Sequence, residues 1–385
     1  MKTIDQIANI KPNLKYYKML TDKGELFTKY NFLRFEPFEI FKLEFKDNKE
    51  NFSGGYLATA NRKTKDIDIY KIYSKDNIKL IHSLEVGYDT IHTIKYFYDQ
   101  FHKVHYLTAL INQKEKIKIW KINSEKNYRL ISNYIKKMCG YLMSFITYTL
   151  MFNKEQTFLI TCYGVQSSCT SRINIIEIYD FINEKQMEEF YESDYYFREF
   201  INIFSFNINL GISSGVDFTK YVVISSNKDN NYNYIDFLKK TLEVKEIELG
   251  RSHFNGIFEN GVIIREKNED DILFYNEYYD DYQNGNNDKN FIHKYNLTLD
   301  ENLFQFEINI KKPIFLSVWN KNYLLIFEQM SKNILLFNVK TCRIENQFNN
   351  GDNILYKGKK LVINNNEELL FVIDLNGIIS LWINA

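Results

Sequence analysis

The side chains that could do chemistry are few and scattered. Gly211-Ile-Ser213-Ser-Gly215 has the G-x-S-x-G spacing in which a strained strand-to-helix turn lifts a serine nucleophile above a parallel sheet. Val216-Asp-Phe-Thr-Lys then runs straight into the apolar segment at Tyr221 with no helical pattern between, so Ser213 reads as a turn residue joining antiparallel strands. His92, His102 and His105 lie close in sequence, but a strand sends neighbouring side chains to opposite faces, and no helix is predicted that would align a metal-binding pair. Six residues separate Cys162 from Cys169 in a Ser-rich stretch with no second pair to complete a zinc site. The acidic run Asp280-Asp-Tyr-Gln-Asn-Gly285 hints at a calcium loop, yet Tyr282 and Phe291 fall where oxygen ligands are needed. Neither G-x-G-x-x-G nor G-x-x-x-x-G-K-[ST] occurs, so no glycine-rich loop is set to cradle a phosphate. The expectation is a protein that is not an enzyme, with no catalytic residue, metal ligand or cofactor assigned.

The elements around these residues are more informative. Among 385 residues, 45% are hydrophobic, 16% aromatic and 25% charged, which excludes a disordered or collagen-like chain. Lys and Arg number 49 and Asp and Glu 49, so no global charge draws the chain to nucleic acid or to a membrane surface. With only 15 Gly and 3 Pro, Asn must do much of the turning. The first 20 residues lack an apolar signal core, and four unevenly spaced cysteines suit a thiol set, so a cytoplasmic location is expected. The longest uncharged stretches, 138–153 and 200–216, fall short of the roughly 20 apolar residues of a spanning helix.

Apolar residues alternate over short runs bounded by Asn, Asp, Lys and Gly, the pattern of strands with one buried face. The runs recur, and recurrence marks a repeat architecture. Seven such strands carry an aromatic near the end: Tyr70, Trp120, Tyr179, Phe237, Tyr295, Phe337 and Trp382, spaced 50, 59, 58, 58, 42 and 45 residues apart. The shortest spacings match a four-stranded propeller blade of about 40 to 45 residues, and the longer ones imply insertions. A continuously apolar run precedes each anchor, at 56–60, 106–110, 158–162, 221–225, 262–264, 323–326 and 369–373, as expected of inner strands covered on both faces. In the fifth unit Ile272-Leu-Phe-Tyr275 competes with Phe291-Ile-His-Lys-Tyr295 for the anchor role; the later run is preferred because a turn and the strand 303–308 follow it. The sequence ends at Ala385, just after Trp382, so the last blade needs a strand from elsewhere, and the strand formers of 25–35, Phe27 to Phe35 above all, are expected to pair with Ile379 to Ile383. The expected fold is all-β, a seven-bladed antiparallel β-propeller over 23–385 closed by an N-terminal strand, after an extension at 1–22.

Ile117-Lys-Ile-Trp120-Lys-Ile122 and Ile379-Ser-Leu-Trp382-Ile383 end in Trp, and Ser83-Leu-Glu-Val-Gly-Tyr-Asp-Thr-Ile-His92 lies where a Gly-His segment would stand. On these residues the chain resembles the WD-repeat (G-beta-like) family over roughly 24–385, as a divergent member. Tyr88 replaces the family's His, only Tyr179 among the anchors is followed by Asp (Asp180), and Lys114, Ser331 and Asn376 stand where an Asp is usual. The family's buried Trp, Ser/Thr, His, Asp tetrad is therefore unavailable in most repeats. What the resemblance implies is a rigid platform for protein-protein interaction within a multi-subunit complex. The competing reading is a propeller enzyme or small-ligand binder with polar residues at the central channel. The phosphoinositide motif of some propellers, Phe-Arg-Arg-Gly, does not occur.

Two surface features suit a partner. From Asp99 to Lys137 there are nine Lys/Arg and three Asp/Glu, whereas Glu177 to Glu199 holds eight acids and two bases, so adjacent blades would carry opposite charge on wet faces such as that of Lys114, Lys116 and Lys118. The stretch 276–290 exceeds what a blade needs, and its Tyr278, Tyr279, Asp280, Asp281 and Tyr282 are the candidate partner-binding residues, since Tyr is enriched at interface hot spots.

Overall fold

A computed structural model describes residues 11–20, 37–43, 55–61, 63–87, 90–99, 101–111, 116–135, 142–152, 157–166, 172–194, 200–205, 221–226, 231–236, 244–248, 256–265, 271–279, 289–296, 299, 301–308, 310, 314–328, 331–349, 355–364, 367–374 and 377–385. Every regular element among them is a strand, and the strands form seven four-stranded antiparallel sheets. Two compact units contain them. One, 1–86 with 259–385, holds the first sheet (38–84), nearly all of the fifth (256–308), the sixth (314–349) and the seventh (355–384 with Leu14–Met19). The other, 87–258, holds the second (91–135), third (142–194) and fourth (200–248).

Burial follows strand position within the first, second, sixth and seventh sheets. The second strand of the sixth sheet, Tyr323–Glu328, is buried at five consecutive residues, because neighbouring sheets cover both of its faces. The outermost strand of the same sheet, Arg343–Asn349, buries only Phe348. Phe38, Leu57, Trp319, Leu325, Phe327, Leu370, Phe371 and Trp382 belong to one core that runs through the first, sixth and seventh sheets. Their first strands approach closely enough for Ser317 Oγ to donate to the Gly358 carbonyl at 2.8 Å and for Lys359 Nζ to reach Glu39 Oε2 at 3.0 Å. Gly358 permits this, because a Cβ there would stand 2.6 Å from the Phe327 ring. In the other unit Lys95 makes the equivalent reach to the Tyr148 carbonyl at 2.8 Å.

Among the described residues, four hairpins are turned by one device. An Asp or Asn at the end of a strand accepts the backbone N–H groups two and three residues on, and the residue four places on adopts a left-handed conformation. Asp99 Oδ1 accepts from Phe101 at 2.9 Å and His102 at 3.1 Å, with Lys103 at φ 56°. The same spacing recurs from Asn61 to Lys65, from Asp180 to Glu184 and from Asn338 to Cys342. Asn and Asp take this role because a short side chain can replace a backbone acceptor, which is how a Gly-poor chain turns so often. The αL position is filled by Lys, Glu or Cys where Gly would be unstrained.

All seven anchor runs lie in third strands, and six of the aromatics fall within the described residues. At each of the six the ladder to the outermost strand slips by one residue immediately before the aromatic. Ile69 faces His82 whereas Tyr70 faces Leu80; Ile119 faces Ser132 whereas Trp120 faces Leu130. The slip recurs at Tyr179, Tyr295 and Phe337. It recurs at Trp382, which faces Tyr16 while Leu381 faces Lys18. Each slip is a bulge, two residues opposite one, which bends and twists the outer strand around the bulky side chain.

That last ladder corrects an expectation. The strand beside Ile379–Asn384 is Leu14–Met19, inside the stretch read as an extension; Phe27 to Phe35 lies outside the described residues, and both edges of Ile379–Asn384 are taken. An outermost strand needs a ladder and one half-buried face, so polar Leu14-Lys-Tyr-Tyr-Lys-Met19 serves where a more apolar segment is not required. Asn13 N–H donates to Asn384 Oδ1 at 2.7 Å, Leu20 N–H donates to the Ile379 carbonyl at 2.8 Å, and Tyr17 donates to Asp76 in the first sheet. In the fifth sheet Val262 to Ile264 belongs to the first strand, Gly256–Arg265, and the second is Asp271–Tyr279; the longer connection of this unit, 280–288, lies between its second and third strands.

Two outcomes follow. Deleting residues 1–20 lowers the thermal midpoint and makes the protein associate in a concentration-dependent way, read by scanning calorimetry and light scattering, because Ile379–Asn384 is left with an open edge. Lys103→Gly raises stability by up to about 1 kcal/mol in urea titrations by relieving αL strain, whereas Asp99→Ala costs about 1 to 2 kcal/mol by orphaning two N–H donors.

Candidate interaction surface

The three histidines are held in three separate environments within the second sheet. His92, 8% exposed near the start of the first strand, is desolvated, and its imidazole falls to about 4. His102 Nδ1 meets Asp99 Oδ2 at 2.6 Å in the hairpin turn. The buried His105 shares a 2.7 Å hydrogen bond with Tyr96 Oη through Nδ1 and stacks on Tyr98 with centroids 4.6 Å apart. Among the described residues, no group of three or more His, Cys, Asp or Glu is placed to hold a metal ion. Cys162 sits in the strand Thr157–Gln166, while Ser213, Cys169 and the acidic run 280–285 lie outside the described residues.

The charge contrast between the second and third sheets has a structural seam. Tyr134 Oη, on the second sheet's outermost strand Asn127–Ile135, donates to Glu177 Oε2 at 2.8 Å on the third strand of the third sheet. Burial, then the Glu177 charge, pushes the Tyr134 phenol well above its ordinary range, so it remains a donor throughout the physiological range. Lys116 and Lys118 are half-buried rather than fully wet, which corrects the expected outer face; Lys114 lies outside the described residues. Arg129 is exposed on Asn127–Ile135, and the acidic Glu188, Glu189 and Glu192 line the third sheet's outermost strand, Lys185–Asp194.

The inserted hairpin of the fifth sheet joins its second and third strands. Tyr278 pairs with Asn290 and Tyr279 with Lys289 at the tip end of the ladder, whereas Asp280, Asp281 and Tyr282 lie outside the described residues. The opposite end of the sheet holds a feature the sequence did not single out. Leu299, Leu303 and Phe304 are 61%, 42% and 41% exposed there, around the bulge of the outermost strand Glu301–Ile308. Register places the two ends five to six residues apart along the strands, about 20 Å. A signal was available in composition, since 299–308 contains no Lys or Arg.

No family model matches this chain. No curated protein matches it. Solved structures do: a crystal structure of BBS1N in complex with ARL6DN, soaked with mercury, is 10% identical, covers 98% of this chain and 98% of that chain, and superposes with a TM-score of 0.56. A second crystal of the same complex, soaked with lead, gives 10% identity, the same 98% and 98% coverage and a TM-score of 0.54. At this identity the likeness is one of fold: nearly all β, built from four-stranded antiparallel sheets in a propeller-like arrangement.

His92 gives this region a pH signature. Between pH 6.5 and about 4 the unfolded chain binds the proton that the folded chain refuses, so stability is full above pH 6.5 and declines as the pH falls toward 4, by at most about 3 kcal/mol. In urea unfolding at pH 7.5 and 4.5, His92→Gln should lose less stability on acidification than the parent chain.

Proposed function

We propose that this chain is a seven-bladed propeller of divergent WD-repeat type, closed by Leu14–Met19, that acts as a non-catalytic platform for other proteins in a multi-subunit complex in the cytoplasm. The observation that carries the reading is how its polar side chains are used. Asp99, Asp180, Asn61 and Asn338 cap turns, Glu177 and His105 hold tyrosine hydroxyls, and Lys95, Lys359 and Ser317 tie first strands together. Beside these, Arg129 is exposed on the second sheet's outermost strand, the third sheet's outermost strand contains four acidic residues, the fifth sheet has a Tyr-bearing hairpin, and apolar side chains are exposed on outer strands. Such features steer and hold proteins rather than transform small molecules. The two similar crystal structures are of BBS1N in complex with ARL6DN, which favours the same kind of use here.

The hairpin residues Tyr278 to Tyr282 form one contact of this platform. Affinity capture of the tagged chain from its native cells, followed by mass spectrometry and native-gel sizing, should recover it in stoichiometric complexes. A chain running at its own monomer mass in undiluted extract would overturn the platform reading. Replacing 280–288 by Asn-Gly, with the thermal transition preserved, should weaken at least one captured partner about tenfold or more; unchanged recovery of every partner would remove the hairpin from the interface.

A further inference from the structure

The outermost strand of the seventh sheet, Leu14–Met19, contains two lysines and no acid. Its one-residue slip at Tyr17 decides where they point. Lys15 stands opposite Ile383 and Lys18 opposite Leu381, two residues apart on the neighbouring strand, so lysines three apart in sequence share one face at a spacing of about 7 Å. That face is turned to the first sheet. Behind Ile383 in the same row lie Leu369 and Leu361, and behind Leu381 lie Phe371 and Lys359. A Cβ on Gly55 of the first sheet would run into the Leu361 side chain, and Lys359 Nζ reaches Glu39 Oε2.

The facing wall belongs to the first sheet. Its third and outermost strands set Tyr70 opposite Leu80, on the face from which Leu57 and Ile72 enter the core shared with Leu361 and Phe371. Leu80 is 54% exposed, while Tyr70 and Ile383 are partly buried against that core. Tyr17, the residue added by the slip, crosses from one wall to the other, and its hydroxyl donates to Asp76 in the turn after Ile72. Lys18 Nζ lies 5.5 Å and Lys75 Nζ 5.4 Å from the Tyr17 ring centroid, so one ring holds two ammonium groups in place. The nearby carboxylates serve other donors: Asp76 accepts from Tyr17, and Glu367 Oε1 accepts the Lys75 backbone N–H at 2.8 Å. Among the described residues, Lys15, Lys18 and Lys75 form no ion pair.

We propose that the cleft between these two outermost strands binds an extended segment of a partner protein with the pattern acidic, apolar, acidic. Successive side chains of an extended chain point to opposite sides, so carboxylates two residues apart meet the wall of Lys15 and Lys18 while the apolar residue between them meets Leu80 and Tyr70. The charge asks for an anion, and its surroundings select the kind. A continuous phosphate backbone would be carried past Asp76 and Glu367, which repel it, and would leave Leu80 in water; carboxylates confined to one face of a peptide avoid both. The inference names one surface of the platform and rests on that reading.

The test uses the full-length chain and an acetylated, amidated peptide, Ser-Thr-Glu-Leu-Glu-Thr-Ser, in calorimetric titrations at low and high salt. Two counterparts accompany it, one with Gln for both Glu and one with the order Glu-Glu-Leu, which sends the carboxylates to opposite sides. The Glu-Leu-Glu peptide should bind about tenfold more tightly than the Gln peptide and about fivefold more tightly than the reordered one, with both preferences shrinking as salt rises. Lys15→Glu and Leu80→Ser, both at exposed positions, should each weaken it about fivefold with the thermal transition preserved. Lys79→Glu makes the same charge change on the other face of the first sheet's outermost strand and should alter binding less than about twofold. No binding of the Glu-Leu-Glu peptide at millimolar concentration, equal binding of all three peptides, or undiminished binding to both Lys15→Glu and Leu80→Ser would overturn the proposal. So would tighter binding of a single-stranded oligo-dT that displaces the peptide, or self-association of the parent chain that Lys15→Glu abolishes. Native complexes recovered intact with the Lys15→Glu chain would leave the platform standing and reject this cleft; absence of any complex with the parent chain would reject the platform instead.

Discussion

The rest of the structure depends on a ladder between strands at opposite ends of the chain. Asn13 and Asn384, whose amide and side chain meet at 2.7 Å, are 371 residues apart. Closing a loop of that size costs about 3 kcal/mol more than closing a ten-residue hairpin. The outer strand repays little of this through its own burial, since only Leu14 of its six residues is buried. What it protects is larger. Ile379–Asn384 is apolar on both faces, with Leu381 and Trp382 essentially inaccessible, and without a neighbour its open edge would template other strands. The ladder is thus best understood as covering a hazard that the core of the seventh sheet creates.

The same tension explains the repeated bulge. A large aromatic at the end of the third strand supplies roughly 1.5 to 3 kcal/mol of burial, but the outer strand must bend past it. Inserting one residue opposite it, at Ile81, Ile131, Leu303 or Tyr17, lets the strand turn without displacing the ring. Because Leu14–Met19 makes the identical slip against Trp382, it behaves as an outermost strand of the series rather than as a tail that happens to lie nearby. The bulge also decides surface chemistry: Leu80, Leu130, Leu303 and Ile344, at or beside the slip, are all substantially exposed. Outer strands therefore present apolar residues as a by-product of fitting around the anchors, and cations beside most of them keep those residues from recruiting strange strands.

How much of this was legible follows from what each feature depends on. Third strands and their aromatics could be read because alternation and spacing are properties of one segment at a time. The bulges could not, since two residues opposite one is a property of a pair. Leu14 to Met19 was passed over in favour of 25–35 because strand-forming tendency ranks inner strands above outer ones, although the outer position tolerates Lys. The Val262 to Ile264 run was placed one strand too late for a related reason: an apolar run declares itself a strand but not its rank in the sheet. Of the candidate surface, Tyr278 and Tyr279 stand out as surplus tyrosines, whereas the exposure of Leu303 and Phe304 depends on the bulge and the sheet edge, which are properties of paired strands and not of one segment.

A chain can keep this architecture at 10% identity to structures it superposes on over 98% of its length because the fold asks for few particular residues. Covered strands require large apolar side chains of any kind, turns require a short side chain that accepts two N–H groups, and closely approaching first strands require one Gly and a few side chains long enough to reach the next carbonyl. Each demand can be met by several residue types, so sequence drifts while the sheets persist. Edges behave in the opposite way. Whether an outermost strand attracts or repels another depends on single charges at fixed positions, so the chemistry that distinguishes one such protein from another concentrates on the part of the sheet that contributes least to holding it together.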